Sequence, residues 1–169
     1  MGLPERPTLL KVLKHANEAR RAADPAARAS LVAAMILLGE SPGRASLEQL
    51  EDAVDLALER PSRRLAAYGS LLPGQAHHDE LADVDGRWSA GLVRGRRREA
   101  DATGGGYPEL VPDERGDVCR VGLLESPALP GRWAHLDAFE GDGYRRELVV
   151  VEREGGRVCV ANLYVAASG

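Results

Sequence analysis

The sequence predicts an α+β protein, a small mixed β-barrel with short helices, preceded by a three-helix N-terminal extension. Three observations carry this expectation. Apolar residues recur at helical spacing as far as Leu58, and after Pro61 they break into short runs punctuated by Gly and Pro. The aromatic residues Tyr68, Trp88, Tyr107, Trp133, Phe139, Tyr144 and Tyr164 all lie beyond residue 67, so the two parts are unlike in composition. Gly155-Gly156 stands between two strand-like runs, which is a hairpin signal. Several strands with few helices favour a barrel over a doubly wound sheet.

The extension, residues 1–62, reads as three helices. Pro7-Thr8 opens the first, with Thr8 as N-cap, and Leu9, Val12, Leu13, Ala16 and Ala19 fall on one face. Asp24 is the expected N-cap of the second, with Pro25 at its first helical position. Its stripe is Ala27, Leu31, Ala34, Met35 and Leu38, and Gly39 ends it. Ser46 begins the third, with Gln49 in the capping-box position. Leu47, Leu50, Val54, Ala57 and Leu58 line up along it, and Pro61 is expected to stop it.

Residues 63–169 form the second expected domain. Strands are predicted at 65–69, 88–93, 118–124, 146–153 and 157–165. Gly104-Gly105-Gly106 marks a loop leading to Tyr107-Pro108, and 128–139 reads as a short helix with its start blurred by Pro130-Gly131. No internal repeat or low-complexity segment interrupts the chain.

Bulk composition narrows the function classes. Of 169 residues 44 % are apolar and only 4 % aromatic, so an aliphatic core is expected and disorder is not. The net charge of −4, with acids and bases interspersed, argues against a nucleic-acid partner bound through a broad basic surface. No cationic stretch leads into an apolar run at the N-terminus, and the longest apolar run, 31–38, is helix-core sized. A soluble cytoplasmic protein with no membrane partner is the expectation. Cys119 and Cys159 sit in strand-like runs and read as buried free thiols, a cross-strand disulfide being the alternative.

Two short stretches carry chemistry together. Tyr68-Gly69-Ser70-Leu71 follows an apolar run and leads into Pro73-Gly74. It lacks the lysine and spacing of a phosphate loop, but Gly69 permits a sharp turn that can aim backbone N–H groups into a pocket. Alone it reads as an ordinary strand end. Glu140 lies between Phe139 and Gly141, where apolar neighbours disfavour its charged form, and Asp137 and Asp142 stand close in sequence. Alone it reads as a solvated acid at a helix end. A donor cradle plus one carboxylate is a minimal kit for proton transfer at a carbonyl.

Other candidates are weaker. Adjacent side chains such as His77 and His78 point in different directions and seldom chelate one metal, so packing or loop capping is expected. Arg94, Arg96, Arg97 and Arg98 read as a solvated face. Ser70 lacks the surroundings of a nucleophile.

Residues 66–166 resemble the γ-glutamylcyclotransferase-like superfamily, its small bacterial members in particular. The resemblance rests on Tyr68-Gly69-Ser70-Leu71 with Gly74 and His77-His78, on Gly91 and Tyr107-Pro108, on Leu136-Asp137-Ala138-Phe139-Glu140-Gly141, on Tyr144-Arg145-Arg146, and on a last strand carrying Tyr164. Two places depart from the family pattern: Ala76 before the histidines, and the stretch from Cys119 to Gly122. The resemblance implies a compact barrel of that type with a cavity between the loop and the glutamate. Family enzymes release 5-oxoproline from γ-glutamyl amines or peptides, and some members act on ε-linked glutamyl-lysine, glutathione or carrier-bound glutamyl groups. By matching position, Glu140 is the expected acid/base, Tyr68, Gly69, Ser70 and Leu71 hold the substrate, and Tyr144 and Tyr164 line the pocket.

The expected activity is therefore cyclisation of a small-molecule γ-glutamyl substrate, with no metal and no organic cofactor. The alternative is a non-catalytic barrel that binds a small amino-acid-like ligand, the helices serving a partner or controlling access. The helical stripes themselves either pack on the barrel or form a homodimer interface.

Overall fold

The computed structural model describes residues 2–98 and 108–167. The expected loop at Gly104, Gly105 and Gly106 and the neighbouring Tyr107 lie outside the described residues. The chain divides into two compact units, Met1–Pro61 and Ser62–Gly169.

The first unit is built from helices α1 (Arg6–Arg20), α2 (Ala26–Leu37) and α3 (Leu47–Ala57), with α1 against α2 and α2 against α3. Leu9, Val12, Leu13, Ala16 and Ala19 are buried along α1, and Ala27, Leu31, Ala34 and Met35 along α2. Helix α3 buries Leu50 and Val54, followed by Leu58 at its C-cap. Its start is a full capping box. The Ser46 hydroxyl accepts from the Gln49 N–H at 3.1 Å, and the Gln49 side chain accepts from the Ser46 N–H at 2.8 Å.

The ends of these helices correct three expectations. Helix α1 starts at Arg6 with Glu5 as N-cap, so Thr8 lies inside the first turn. Proline has no N–H to satisfy and its φ suits a first turn, so the helix begins ahead of Pro7. Pro25, not Asp24, occupies the N-cap of α2, and the Asp24 carboxylate stands 3.9 Å from the Arg28 guanidinium. Helix α3 ends at Ala57, well before Pro61, because Glu59 and Arg60 both take φ of +63°. That left-handed pair is costly for residues with a Cβ. It is supported by the Arg60 N–H donating to the Asp55 carbonyl at 2.8 Å.

The second unit contains strands β1 (Arg64–Ala67), β2 (Arg87–Arg98), β3 (Glu109–Pro112), β4 (Asp117–Glu125), β5 (Tyr144–Arg153) and β6 (Val158–Ala166), with helix α4 (Trp133–Glu140) before β5. The sheet runs β3-β2-β4-β1-β6-β5, and β5 pairs again with β2. Five strands thus close on themselves as β2-β4-β1-β6-β5, with β3 paired to the far end of β2 and its Leu110 buried in the barrel core. All pairings are antiparallel except β1 with β6.

Closure depends on close approach at Gly91. It pairs with Arg153 across the β2–β5 seam, and a Cβ there would come within 2.6 Å of a Val151 methyl. Near one end of the barrel, Glu125 of β4 accepts from Arg64 of β1 at 3.1 Å and also from Arg153 of β5. Burial alone would raise the Glu125 carboxyl, but the hydrogen bonds and charges of Arg153 and Arg64 outweigh it and hold it below the usual range.

Inside, Ala66, Val93, Cys119, Val121, Leu123, Val149, Val151, Cys159, Ala161, Leu163 and Val165 form one core, taken from alternate positions of the strands. A second layer of Leu65, Ala67, Leu71, Leu81, Leu124, Leu129, Trp133, Leu136 and Tyr164 lies under α4 and the segment after β1. Strand β6 is buried on both faces, which explains an apolar run broken only by the buried Asn162. Both cysteines are buried free thiols.

Strand β3 is the element missing from the sequence expectations. It is four residues long and ends in Pro112, which an edge strand tolerates. Strand β2 runs past the expected residue 93 to Arg98 because its far end finds β3 as a partner. The expected helix 128–139 is split, with a single 3₁₀ turn at Leu129–Gly131 before α4. Among the described residues, no helix is long and apolar enough to cross a membrane.

Candidate active site

The segment leaving β1 does not continue the strand to Gly69. It turns at residues 68–72, and the turn is held through its carbonyls. The Gly69 carbonyl accepts from the Leu72 N–H at 3.1 Å, and the Ser70 carbonyl accepts from the His77 N–H at 2.9 Å. The Leu71 carbonyl is 2.9 Å from Nδ1 of His78. A carbonyl can only accept, so Nδ1 carries the proton. His78 also packs its ring 5.8 Å from that of Trp88. With the carbonyls engaged, the N–H groups of Gly69, Ser70 and Leu71 have no partner among the described residues. That is a ready donor edge.

Helix α4 delivers the carboxylate. Leu136 and Trp133 fix its buried face, and Gly141 ends it with φ of +74°, a conformation that residues with a Cβ avoid. Glu140 is therefore the last helical residue. Its carboxyl makes no hydrogen bond or ion pair to a described residue. Burial raises its pKa above the ordinary carboxylate value, opposed by the nearby His77.

These parts meet in a cavity of about 250 Å³. Its wall contains Tyr68, Gly69, Ser70, Leu71, Glu140, Tyr144 and Tyr164, together with Ala66, Ala67, His77, Pro108 and Phe139. The first seven are the residues singled out from the sequence. The other five had no chemistry to mark them except His77. Its ring meets Phe139 edge-on at 5.2 Å between centroids, so the adjacent histidines do divide between cavity and loop. Among the described residues, no cluster of three metal-ligating side chains occurs.

Two tyrosine hydroxyls are fixed beside the acid. Tyr68 donates to the Tyr164 carbonyl at 2.9 Å, and Tyr164 donates to Asp137 Oδ1 at 2.6 Å. Burial pushes Tyr68 up to about 12, with the Leu110 backbone pulling the other way and the charges of Tyr144 and Glu140 adding to the rise. Tyr164 is raised further, by burial first and then by its bond to Asp137. Both remain neutral hydroxyls near pH 7. Arg94, Arg96, Arg97 and Arg98 are exposed on β2, where Arg96 pairs with Asp113 at 2.8 Å.

The described residues thus form a closed five-stranded barrel with an acid-bearing cavity at the end of β1. The chain belongs to the gamma-glutamyl cyclotransferase, AIG2-like family, whose pattern matches residues 65–169. Among solved structures, it is similar to an AIG2-like protein from Mus musculus, at 21 % identity over 63 % of this chain and 78 % of that one, with a TM-score of 0.51. It is also similar to YkqA from Bacillus subtilis, at 23 % identity over 62 % of this chain, with a TM-score of 0.50. The match spans only 36 % of YkqA. Both likenesses concern the fold. No curated protein sequence matches the chain. The family assignment supports a cyclotransferase-type function in general.

Proposed function

We propose that the protein cyclises a γ-glutamyl amine or peptide, releasing 5-oxoproline and the free amine, with Glu140 as general acid and base. The observation that carries this is the shared cavity: residues 69–71 and Glu140 line one cavity of about 250 Å³.

The substrate's α-nitrogen attacks its own γ-carbonyl carbon. One C–N bond forms to close the five-membered ring, and the C–N bond to the departing amine breaks. Holding the chain folded for attack supplies several kcal/mol of the barrier. The α-ammonium must first lose a proton. The α-nitrogen sheds two protons in all, one before attack and one as the ring closes. Glu140 takes one and returns it to the leaving nitrogen, a task suited to a carboxyl raised by burial, and the other passes to solvent. The N–H groups of Gly69, Ser70 and Leu71 bind the substrate carboxylate or the developing oxyanion. Tyr68, Tyr144 and Tyr164 enclose the chain.

The test is mass-spectrometric detection of 5-oxoproline against a panel of γ-glutamyl amines, peptides and ε-linked glutamyl-lysine. The expected result is release from at least one of them, reduced about a hundredfold or more in a folded Glu140→Gln variant. Full turnover by that variant would remove the assigned role. Ligand-dependent stabilisation with no 5-oxoproline from any compound would replace the enzyme by a binding barrel.

A further inference from the structure

The Tyr164 hydroxyl has one hydrogen, and it is committed to Asp137 Oδ1 at 2.6 Å. A carboxylate accepts only, so the direction of that bond is fixed. Asp137 is itself held. Arg146 Nε stands 3.0 Å from Oδ1 and Nη2 3.3 Å from Oδ2, a two-pronged grip across α4 and β5. Arg146 is held in turn, its guanidinium carbon 4.5 Å above the Trp133 ring and Nη1 3.4 Å from Oδ1 of the fully buried Asn162. The Trp133 indole donates to the Ser62 carbonyl at 2.7 Å. The chain of contacts leaves the Tyr164 rotor one orientation.

The consequence concerns the cavity that Tyr164 lines. With its hydrogen turned to Asp137, the hydroxyl offers only lone pairs there. Tyr68 also gives its hydrogen away, to the Tyr164 carbonyl at 2.9 Å, but its oxygen is met by the Leu110 backbone, so Tyr164 is the freer acceptor of the two. Glu140 adds a carboxyl, and the N–H groups of residues 69–71 are the donors of the same wall. Alongside Ser70, His77 and Tyr144, which can donate or accept, the lining thus holds a fixed acceptor and a run of donors, the two functions a zwitterionic head group needs.

We propose that Asp137, gripped by Arg146, is a positioning residue that keeps the Tyr164 hydroxyl an acceptor for the α-ammonium of an amino-acid ligand. This deepens the cyclotransferase reading and rests on it for the identity of the head group.

Calorimetry on the full chain tests the proposal with two probes that differ only in the α-ammonium, L-glutamine and its des-amino counterpart glutaramate. The wild type is expected to bind glutamine more tightly. Tyr164→Phe and Asp137→Ala are each expected to cut the affinity ratio roughly tenfold, the scale of a hydrogen bond to a charged group. The double variant is expected to lose no more than Tyr164→Phe alone, since the two act as one unit. Asp137→Asn keeps an acceptor oxygen for Tyr164 and is expected to retain most of the ratio. Equal affinity of the wild type for both probes, or binding of neither, would overturn the proposal. So would an unchanged ratio in Asp137→Ala, or an equal loss in Asp137→Asn, which would mark only an ion pair with Arg146. Release of 5-oxoproline, measured separately, separates the two readings: a preference for glutamine without turnover sinks the enzyme and spares this proposal, and turnover without preference does the reverse.

Discussion

In the helical unit, the caps and turns that shape the backbone act within a few residues of themselves, and the Arg28 guanidinium reaches the Ala45 carbonyl only 17 positions on. Ser46 caps the N–H of Gln49, three positions on, and Arg60 returns to the Asp55 carbonyl. In the barrel unit, the corresponding contacts join distant segments. Arg64 meets Glu125 across 61 positions and the Val160 carbonyl across 96. The cavity inherits that reach, since Tyr68 and Tyr164 are also 96 positions apart. Local devices make a unit easy to specify. Only the long-range unit brings a donor edge, an acid and a fixed hydroxyl from separate elements to one place.

The largest expected effect tests the barrel's dependence on its interior. Leu163 is fully buried in the inner core. Leu163→Ala removes packed methyl groups and leaves a void, so it is expected to cost about 2–5 kcal/mol of barrel stability. Denaturant unfolding followed by tryptophan fluorescence reads this unit alone, because Trp88 and Trp133 both lie in it. A loss under about 1 kcal/mol would mean a loosely filled interior, against the measured pattern for well-packed cores.

A smaller effect probes the helical unit. Ser46→Ala removes one half of the capping box and is expected to cost about 1 kcal/mol. The far-UV circular dichroism transition is dominated by α1, α2 and α3, so it should move to lower denaturant. The fluorescence transition is expected to stay in place. A shift of both transitions together would show that the units unfold as one, and the contrast between them would then apply to geometry but not to stability.

This contrast also governs what could be read before folding. The stripe of α1 was legible residue by residue, since Leu9 to Ala19 obey one period and all its members are buried. The capping box of α3 was equally plain, being a pattern of two residues. The hairpin at Gly155-Gly156 was visible because its turn chemistry is local. Strand β3 was not, since four residues ending in Pro112 acquire strand geometry only from β2. The left-handed pair Glu59 and Arg60 was hidden because neither residue type announces that conformation. At the site, residue chemistry marked Glu140 and the turn at Gly69, and the resemblance marked Tyr144 and Tyr164. The Tyr164 to Asp137 bond escaped notice because Asp137 read only as a neighbouring like charge, and its grip by Arg146 exists only when α4 lies on β5.

The smallest effect sets two carboxyls of one barrel against each other. Glu125 is held below the ordinary carboxylate value despite its burial, by hydrogen bonds from Arg153 and Arg64. Its contribution to stability is therefore present above the ordinary value of 4.5 and fades as pH falls through its lowered one. Glu140 is raised by burial, with only His77 opposing. Between 4.5 and its raised value the folded chain binds more protons there than the unfolded chain, so its contribution is complete at low pH and is lost as pH rises. Glutamine at each position removes the titration and leaves the shape. Thermal melts at pH 4 and pH 7 should then diverge in opposite senses. Glu140→Gln is expected to gain on the wild type as pH rises, whereas Glu125→Gln is expected to fall behind it. A Glu140→Gln variant that loses ground on going to pH 7 would show that the carboxylate is stabilised where it stands. That would contradict a site in which an ionisable group is kept against the folding preference of the barrel around it.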